Sequence, residues 1–232
     1  MTSTKKIAVL GTSISTLEQA PVNDPLWEIW ACSPWMQGRM APRSEGVPGF
    51  DKFFEIHWGN QFYQSEHDVF LPWLRECGKP VYVFEDLEIP TQVIYPKKRM
   101  EDQHGVAFFT STIAWMLALA IDERPAEIGI WGVDMAGDSE YGGQKFGCLH
   151  FIALARLLGI NVVIPKASEL LKAPAPYPDR YATEAAITIR NTRELIAKQL
   201  SEIQSSLTLC KEAEAYARGQ ADLIKTLERT LV

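Results

Sequence analysis

Residues 6–11 read Lys-Ile-Ala-Val-Leu-Gly, a run of four apolar residues that ends at a glycine. Such a run is typical of a strand buried on both faces of a parallel sheet. Two longer segments, 110–122 and 147–158, have the apolar content of core helices. Five further strand-like segments lie along the chain: 28–33 (EIWACS), 53–57 (FFEIH), 80–85 (PVYVFE), 127–132 (EIGIWG) and 161–165 (NVVIP). This alternation predicts an α/β fold with a Rossmann-like, mostly parallel sheet and helices on both faces.

The composition is that of an ordinary globular protein, with 47% hydrophobic and 22% charged residues among 232. The 29 acidic residues outnumber the 23 basic ones and give a net charge of −6, which argues against non-specific coating of nucleic acid. No apolar run approaches the ~20 residues that cross a bilayer, so no membrane association is predicted. The four cysteines are scattered, and the four histidines lack metal-ligand spacing. We therefore predict a cytoplasmic protein with no metal site.

The chain divides by composition into three parts. Residues 1–171 are predicted to form the ligand-binding α/β domain, and residues 172–182 form a stiff, proline-rich linker. Residues 183–232 contain no proline and predict either one long helix or a helical hairpin that breaks at Gly219. Apolar residues recur there every seven positions from Ile189 to Leu231. Because a period of seven indicates a supercoiled bundle, we predict a homo-oligomer held by this tail.

Two clusters of hydroxyl groups precede predicted helices. The first is the loop Gly11-Thr12-Ser13, which leaves the first strand, and the second is Thr110-Ser111-Thr112. Hydroxyls and free amides at a helix start can bind a phosphate or sugar hydroxyls. A tight turn and ordinary helix capping are the alternatives. Neither segment is a G-x-G-x-x-G or P-loop motif, so a nicotinamide-dependent oxidoreductase is disfavoured.

Three residues are candidates for acid–base chemistry, because they follow strands at the edge where ligands bind in such sheets. Asp134 follows the strand 127–132, Glu140 lies in the glycine-rich segment AGDSEYGGQKFG, and His57 ends FFEIH. The glycines of that segment predict a mobile lid. Capping or structural roles are the alternatives for each residue. Lys97-Lys98-Arg99 is the most basic stretch and is either a solvated loop or a phosphate contact.

Taken together, these positions resemble the small, single-domain bacterial sialyltransferases and their uncharacterised relatives in phages and in flagellin modification. That family has five motifs in a fixed order. They are a first loop, a polar residue after the second strand, a Thr-Ser-Gly helix start, a Gly-Ile/Val-Asp-Phe strand end and a Pro-x-Ser-x-Leu-Leu-like strand exit. The counterparts are Gly11-Thr12-Ser13-Ile14-Ser15-Thr16-Leu17, Ser33, Thr110-Ser111-Thr112-Ile113, Gly132-Val133-Asp134-Met135 and Pro165-Lys166-Ala167-Ser168-Glu169-Leu170-Leu171. The resemblance covers roughly residues 5–171.

The resemblance implies a glycosyltransferase that moves a sugar from a nucleotide-sugar donor to a hydroxyl acceptor without a required cofactor. It implies nucleotide contacts at Ser33 as well as at both hydroxyl clusters. The chain departs from the family's pattern at Thr12, Ser33 and Thr112, and Glu140 stands where the catalytic histidine is expected. The implied donor is therefore a nucleotide-linked sugar not restricted to cytidine monophosphate–sialic acid.

The acceptor is predicted by analogy alone. The pattern looks closer to phage-encoded relatives than to capsule enzymes, so a hydroxymethylpyrimidine in phage DNA is the predicted acceptor. Its predicted contacts are Lys97, Lys98 and Arg99, and the predicted location is the host cytoplasm. The alternative is a non-catalytic phage protein that binds or sequesters a nucleotide.

Overall fold

The structure is a computed structural model that describes residues 4–37, 39–45, 47–58, 64–135, 139–172 and 179–230. By its contacts the chain separates into two compact units, 1–172 and 173–232. The first is an α/β unit, and the second is built on one long helix.

The sheet of the first unit has seven strands in the order β5-β4-β3-β2-β1-β6-β7, and every described pair is parallel. The chain runs outward from β1 to β5 and then returns to the other edge of β1. The strands are β1 (Lys6–Leu10), β2 (Trp27–Cys32), β3 (Lys52–Glu55), β4 (Val81–Val83), β5 (Gln92–Ile94), β6 (Glu127–Trp131) and β7 (Asn161–Val163). The predicted α/β class and parallel sheet are confirmed.

Both faces of the sheet are covered, as the continuous apolar runs predict. Ile7 and Val9 point into one core cluster, and Ala8 and Leu10 point into the other, because successive side chains of a strand alternate. Six of the seven strands overlap a predicted segment. The seventh, β5, lies in none of the predicted segments; it is an edge strand of the sheet, and its Val93 and Ile94 are exposed.

Six α-helices accompany the strands in the described part of the chain. They are α1 (Ile14–Leu17), α2 (Gln64–Glu76), α3 (Lys97–His104), α4 (Thr112–Asp122), α5 (Ser139–Leu157) and α6 (Asp179–Thr230). The segment α4 is buried from Ile113 to Ile121, as its apolar sequence predicts, and lies in the core on one face of the sheet. The other face is covered by α2, through Phe70 and Leu74.

Two predicted loops are helical instead. The prediction of a lid over 136–147 is wrong from Ser139 onward, where α5 begins, and residues 136–138 lie outside the described part. A Cβ on Gly147 would approach the Phe108 carbonyl oxygen to 2.0 Å, so this glycine permits close packing of α5 rather than loop motion. Lys97, Lys98 and Arg99 open α3, because i,i+4 pairing with acidic residues supports a helix there.

The backbones of the loops after β1 and β6 touch. A Cβ on Gly11 would lie 2.3 Å from the Gly132 carbonyl oxygen, and a Cβ on Gly132 would lie 2.5 Å from that of Gly11. Gly132 also has φ +66°, a conformation that favours glycine. Only glycines permit this approach, which joins the two strands at the point where the chain order reverses.

The second unit contains α6, a single helix of 52 residues that spans about 78 Å at 1.5 Å per residue. Of the two predicted forms, the long helix is the one observed, since Gly219 lies within it. Its start at Asp179 precedes the predicted start at residue 183. None of the helices in the described ranges is long and apolar enough to cross a membrane.

Candidate functional site

A cavity of about 670 Å³ opens at the carboxyl ends of β1, β2, β3 and β6, beside the start of α4. This is the edge where parallel α/β sheets bind ligands, at the point where the strand order reverses. Its volume lies within the range of small-molecule sites. The lining residues are Gly11, Thr12, Ser13, Cys32, Ser33, Ile56, His57, Phe109, Thr110, Ser111, Thr112, Ile113, Trp115, Gly132, Val133, Asp134, Met135 and Gln144.

Backbone and side-chain hydrogen bonds join the loops that follow β1 and β6. The Gly11 amide donates to the Trp131 carbonyl at 2.9 Å, and the Ser13 amide donates to the Gly132 carbonyl at 2.8 Å. In return, the Gly132 amide donates to the buried Thr16 hydroxyl at 2.8 Å. The floor of the cavity is therefore fixed before any ligand binds.

Asp134 is held from two sides. Its Oδ2 accepts hydrogen bonds from the Ser13 hydroxyl at 2.6 Å and from the Ser15 hydroxyl at 2.5 Å. Its Oδ1 accepts from the Glu169 amide at 3.2 Å. Burial acts to raise the pKa of Asp134, but the donors Ser13, Ser15, Glu169 and Ser168 outweigh it and lower the pKa. Asp134 is therefore a carboxylate at neutral pH and a weak base.

The three hydroxyls of residues 110–112 have different surroundings. Ser111 is the N-cap of α4, and its Oγ accepts from the Ala114 amide at 3.2 Å. Thr110 donates to the Gln144 carbonyl at 2.8 Å and accepts from the Gly147 amide at 3.1 Å, which anchors α5. Thr112, the first residue of α4, lines the cavity without a side-chain hydrogen bond among the described residues. Capping therefore accounts for Ser111 and helix anchoring for Thr110, whereas Thr112 is available to a ligand.

His57 follows β3 on the same cavity. Its Nδ1 is hydrogen-bonded to Oε1 of Glu55, whose side chain is only 1% exposed, whereas half of the imidazole is exposed. A buried carboxylate that contacts one ring nitrogen fixes the orientation of the ring.

Two lining residues have strained backbones. Ser33 has φ 81° and Met135 has φ 48°, and both are non-glycine residues in the left-handed region. Such residues are concentrated at functional sites, because the surrounding structure must hold them there.

The structure brings together most of the residues singled out in the sequence and separates the rest. Asp134, His57 and the predicted nucleotide contacts line one cavity; those contacts are Gly11, Thr12, Ser13, Ser33, Thr110, Ser111 and Thr112. Glu140 lies in the first turn of α5, and its side chain is outside the described part of the chain.

The predicted acceptor contacts are not in the cavity lining. Each cation has a carboxylate partner: Lys97 pairs with Glu101, Lys98 with Asp102, and Arg99 with Asp122 at 2.8 Å. The partners offset the positive charge of this stretch.

Several lining residues had not been predicted. Phe109 stacks on Trp115 with a centroid distance of 3.7 Å and forms an apolar wall. Cys32 also lines the cavity; burial and the nearby Glu55 and Cys148 raise its thiol pKa to about 12, so it is not a nucleophile at neutral pH. The signal for Glu55 was present in FFEIH, since an acidic residue within an apolar strand requires a partner.

No group of three or more His, Cys, Asp or Glu side chains in the described ranges is arranged to hold a metal ion. The lining residues also include no lysine or arginine within those ranges. Anionic groups of a ligand would therefore be bound by amides and hydroxyls.

No protein-family profile matches the sequence, and comparison with curated proteins finds no match. Among solved structures, the chain is similar to the sialyltransferase CstII from Campylobacter jejuni in complex with cytidine-5'-monophosphate. That likeness covers 78% of this chain and 99% of the other, with 13% identity and a TM-score of 0.45. The same enzyme in complex with CMP-3FNeuAc matches over 69% of this chain and 79% of its own, with 15% identity and a TM-score of 0.44. The sialyltransferase CST-II in complex with a trisaccharide acceptor and CMP matches over 78% and 99%, with 12% identity and a TM-score of 0.43.

Proposed function

We propose that the cavity binds a nucleotide-linked sugar and that the protein transfers the sugar to a hydroxyl group of an acceptor. One observation carries this proposal. Thr12, the start of α4 at Thr112, and His57 face a single cavity at the switch point of the sheet. A site of this kind combines groups that bind phosphate and sugar hydroxyls with a group that accepts a proton.

The roles follow from chemistry. In the transfer, an acceptor oxygen bonds to the anomeric carbon while the bond between that carbon and the donor phosphate oxygen breaks. The nucleotide leaves with the electron pair, and a base takes the proton of the acceptor hydroxyl. The pKa of Asp134 is lowered, so Asp134 is suited to accept hydrogen bonds from ligand hydroxyls. His57 is the better base, since an imidazole ordinarily titrates near neutral pH.

The lining also favours one type of donor. With no lysine or arginine among the described lining residues, the phosphate charge would be balanced by amide groups at the start of α4. This arrangement favours a sugar linked through one phosphate over a sugar linked through two. The contact between Lys97–Arg99 and DNA remains a prediction from the sequence.

A panel of nucleotides and nucleotide sugars, tested by thermal shift and calorimetry, checks the binding step. We expect binding by at least one nucleotide sugar and a roughly fivefold to tenfold weaker affinity for Thr112→Val, which removes a hydroxyl but keeps the shape of the side chain. Thr192→Val, on the exposed helix α6, is the matched control and should bind like the parent protein.

Two results would count against the proposal in different ways. If no nucleotide or nucleotide sugar changes the melting temperature at millimolar concentration, the donor site is wrong. If a donor binds but is not consumed with any hydroxyl acceptor, the alternative hypothesis of a non-catalytic nucleotide-binding protein is correct.

A further inference from the structure

The pairing of Glu55 with His57 is the most specific arrangement that the sequence did not single out. Glu55 is the last residue of β3, and its side chain is almost completely buried. Only one residue separates it from His57, so both side chains lie at the carboxyl end of the same strand.

A buried carboxylate is retained in a protein when it has a partner, because burial without one is costly. Here the partner is a ring that is half exposed and lines the cavity. The Nδ1 atom of His57 contacts Oε1 of Glu55. Glu55 is a carboxylate, whose negative charge contributes to the raised pKa of the Cys32 thiol. Since a carboxylate only accepts hydrogen bonds, Nδ1 carries the proton in this contact, and the basic lone pair of the neutral ring is on Nε2.

We infer that Glu55 is a positioning residue that holds His57 in the Nδ1–H tautomer, so that Nε2 takes the proton of the acceptor hydroxyl. This inference rests on the proposed function, whose base it specifies. As the acceptor oxygen bonds to the anomeric carbon, its proton moves to Nε2 and the nucleotide leaves with the electrons of the broken bond. The imidazolium formed in this step is stabilised by the negative charge of Glu55.

The other titratable groups of the described cavity lining do not oppose the imidazolium. Asp134, whose pKa is lowered, lines the same cavity and carries a negative charge. The thiol of Cys32 is neutral, because burial and the charge of Glu55 raise its pKa. The described lining contains no cationic side chain that would oppose the imidazolium.

Nitrogen-15 NMR of His57 tests the pairing without any substrate. In Glu55→Gln we expect the pKa of His57 to fall by one unit or more, since the neighbouring negative charge that favours the imidazolium is removed. We also expect the neutral ring to shift toward the Nε2–H tautomer. Asp102→Asn, which removes an exposed carboxylate paired with Lys98 on α3, is the matched control and should leave His57 unchanged.

Glu55→Asp distinguishes loss of the charge from a folding defect. Because this variant keeps the negative charge, the pKa of His57 should return most of the way to its value in the parent protein. An unchanged pKa and tautomer in a folded Glu55→Gln protein would overturn the inference, whether or not the wild type is active.

Kinetics test the role in transfer. Glu55→Gln should lower kcat roughly 100-fold, with little change in KM for the donor. In a His57→Gln background the same substitution should have no further effect, because Glu55 acts through His57. An equal loss in both backgrounds would overturn the positioning role. Absence of transfer by the wild type would instead defeat the proposed function and leave the NMR result to decide the pairing.

Discussion

At the residue scale, the close contact between Gly11 and Gly132 leads to a testable prediction about the stability of the protein. Gly132→Ala would combine a left-handed backbone with a Cβ 2.5 Å from a carbonyl oxygen. We expect it to lower the free energy of unfolding by at least about 3 kcal/mol, measured by urea denaturation. Gly78→Ala is the matched control: its φ is +65° but nothing lies within 4 Å, so about 1 kcal/mol is expected. Equal losses for both variants would show that the close approach is unimportant.

Single residues also show how much of the candidate site can be predicted from the sequence. Asp134 could be placed at the ligand edge because it directly follows an apolar strand. Its two serine donors could not be foreseen as donors to one oxygen, since they lie at the start of α1, more than a hundred residues away in sequence. Glu55 differs, because an acidic residue within the apolar strand FFEIH indicates that it needs a partner, whereas the structure identifies that partner as His57.

At the scale of elements, Thr110 anchors α5 to the segment that precedes α4. Thr110→Val keeps the shape of the side chain but removes the hydrogen bonds to the Gln144 carbonyl and from the Gly147 amide. We expect a loss of about 1–2 kcal/mol in the free energy of unfolding and weaker binding in the cavity, because Gln144 forms part of its wall. Thermal melts and nucleotide titration measure both effects.

Thr208→Val provides the control on α6, where the hydroxyl bonds to the Gln204 carbonyl on an exposed face. Its effect should stay within about 0.5 kcal/mol. A Thr110→Val protein as stable as this control would remove the anchoring role.

The packing of α5 also explains why the prediction of a glycine-rich lid is wrong. Gly142, Gly143 and Gly147 indicate a loop by propensity, since glycine lowers helix stability. In the structure they lie in α5, where Gly147 meets the Phe108 carbonyl and tertiary packing overrides propensity. The strands were easier to predict, because a buried strand of a parallel sheet is apolar on both faces and its pattern depends little on distant contacts.

At the scale of the whole molecule, the tail prediction stays open and can be tested directly. The heptad stripe on α6 is exposed, with Ile189, Ile196 and Ile203 all at least half accessible. Because an exposed apolar stripe of this length favours association, we expect light scattering to give a multiple of the 26.1 kDa chain mass. The double variant Ile196→Asp/Ile203→Asp should reduce the mass to that of one chain.

Ser201→Asp/Ser205→Asp introduces the same charge on α6 away from the isoleucines and should leave the mass unchanged. A parent protein that is monomeric at all concentrations would contradict the prediction.

The position of β1 in the interior of the sheet, between β2 and β6, also affects how the chain is made. Its partner β2 follows it closely in sequence, but its other partner, β6, begins only at Glu127. At ~5–20 residues per second, a ribosome needs roughly 5–20 s to pass from the end of β2 to the end of β6. Throughout that interval β1, a strand with four buried apolar residues, has an open edge, which is the kind of surface that recruits other chains. Slower translation of residues 33–126 would lengthen this exposure, so the yield of folded protein should depend on decoding speed in a region remote from β1 in sequence.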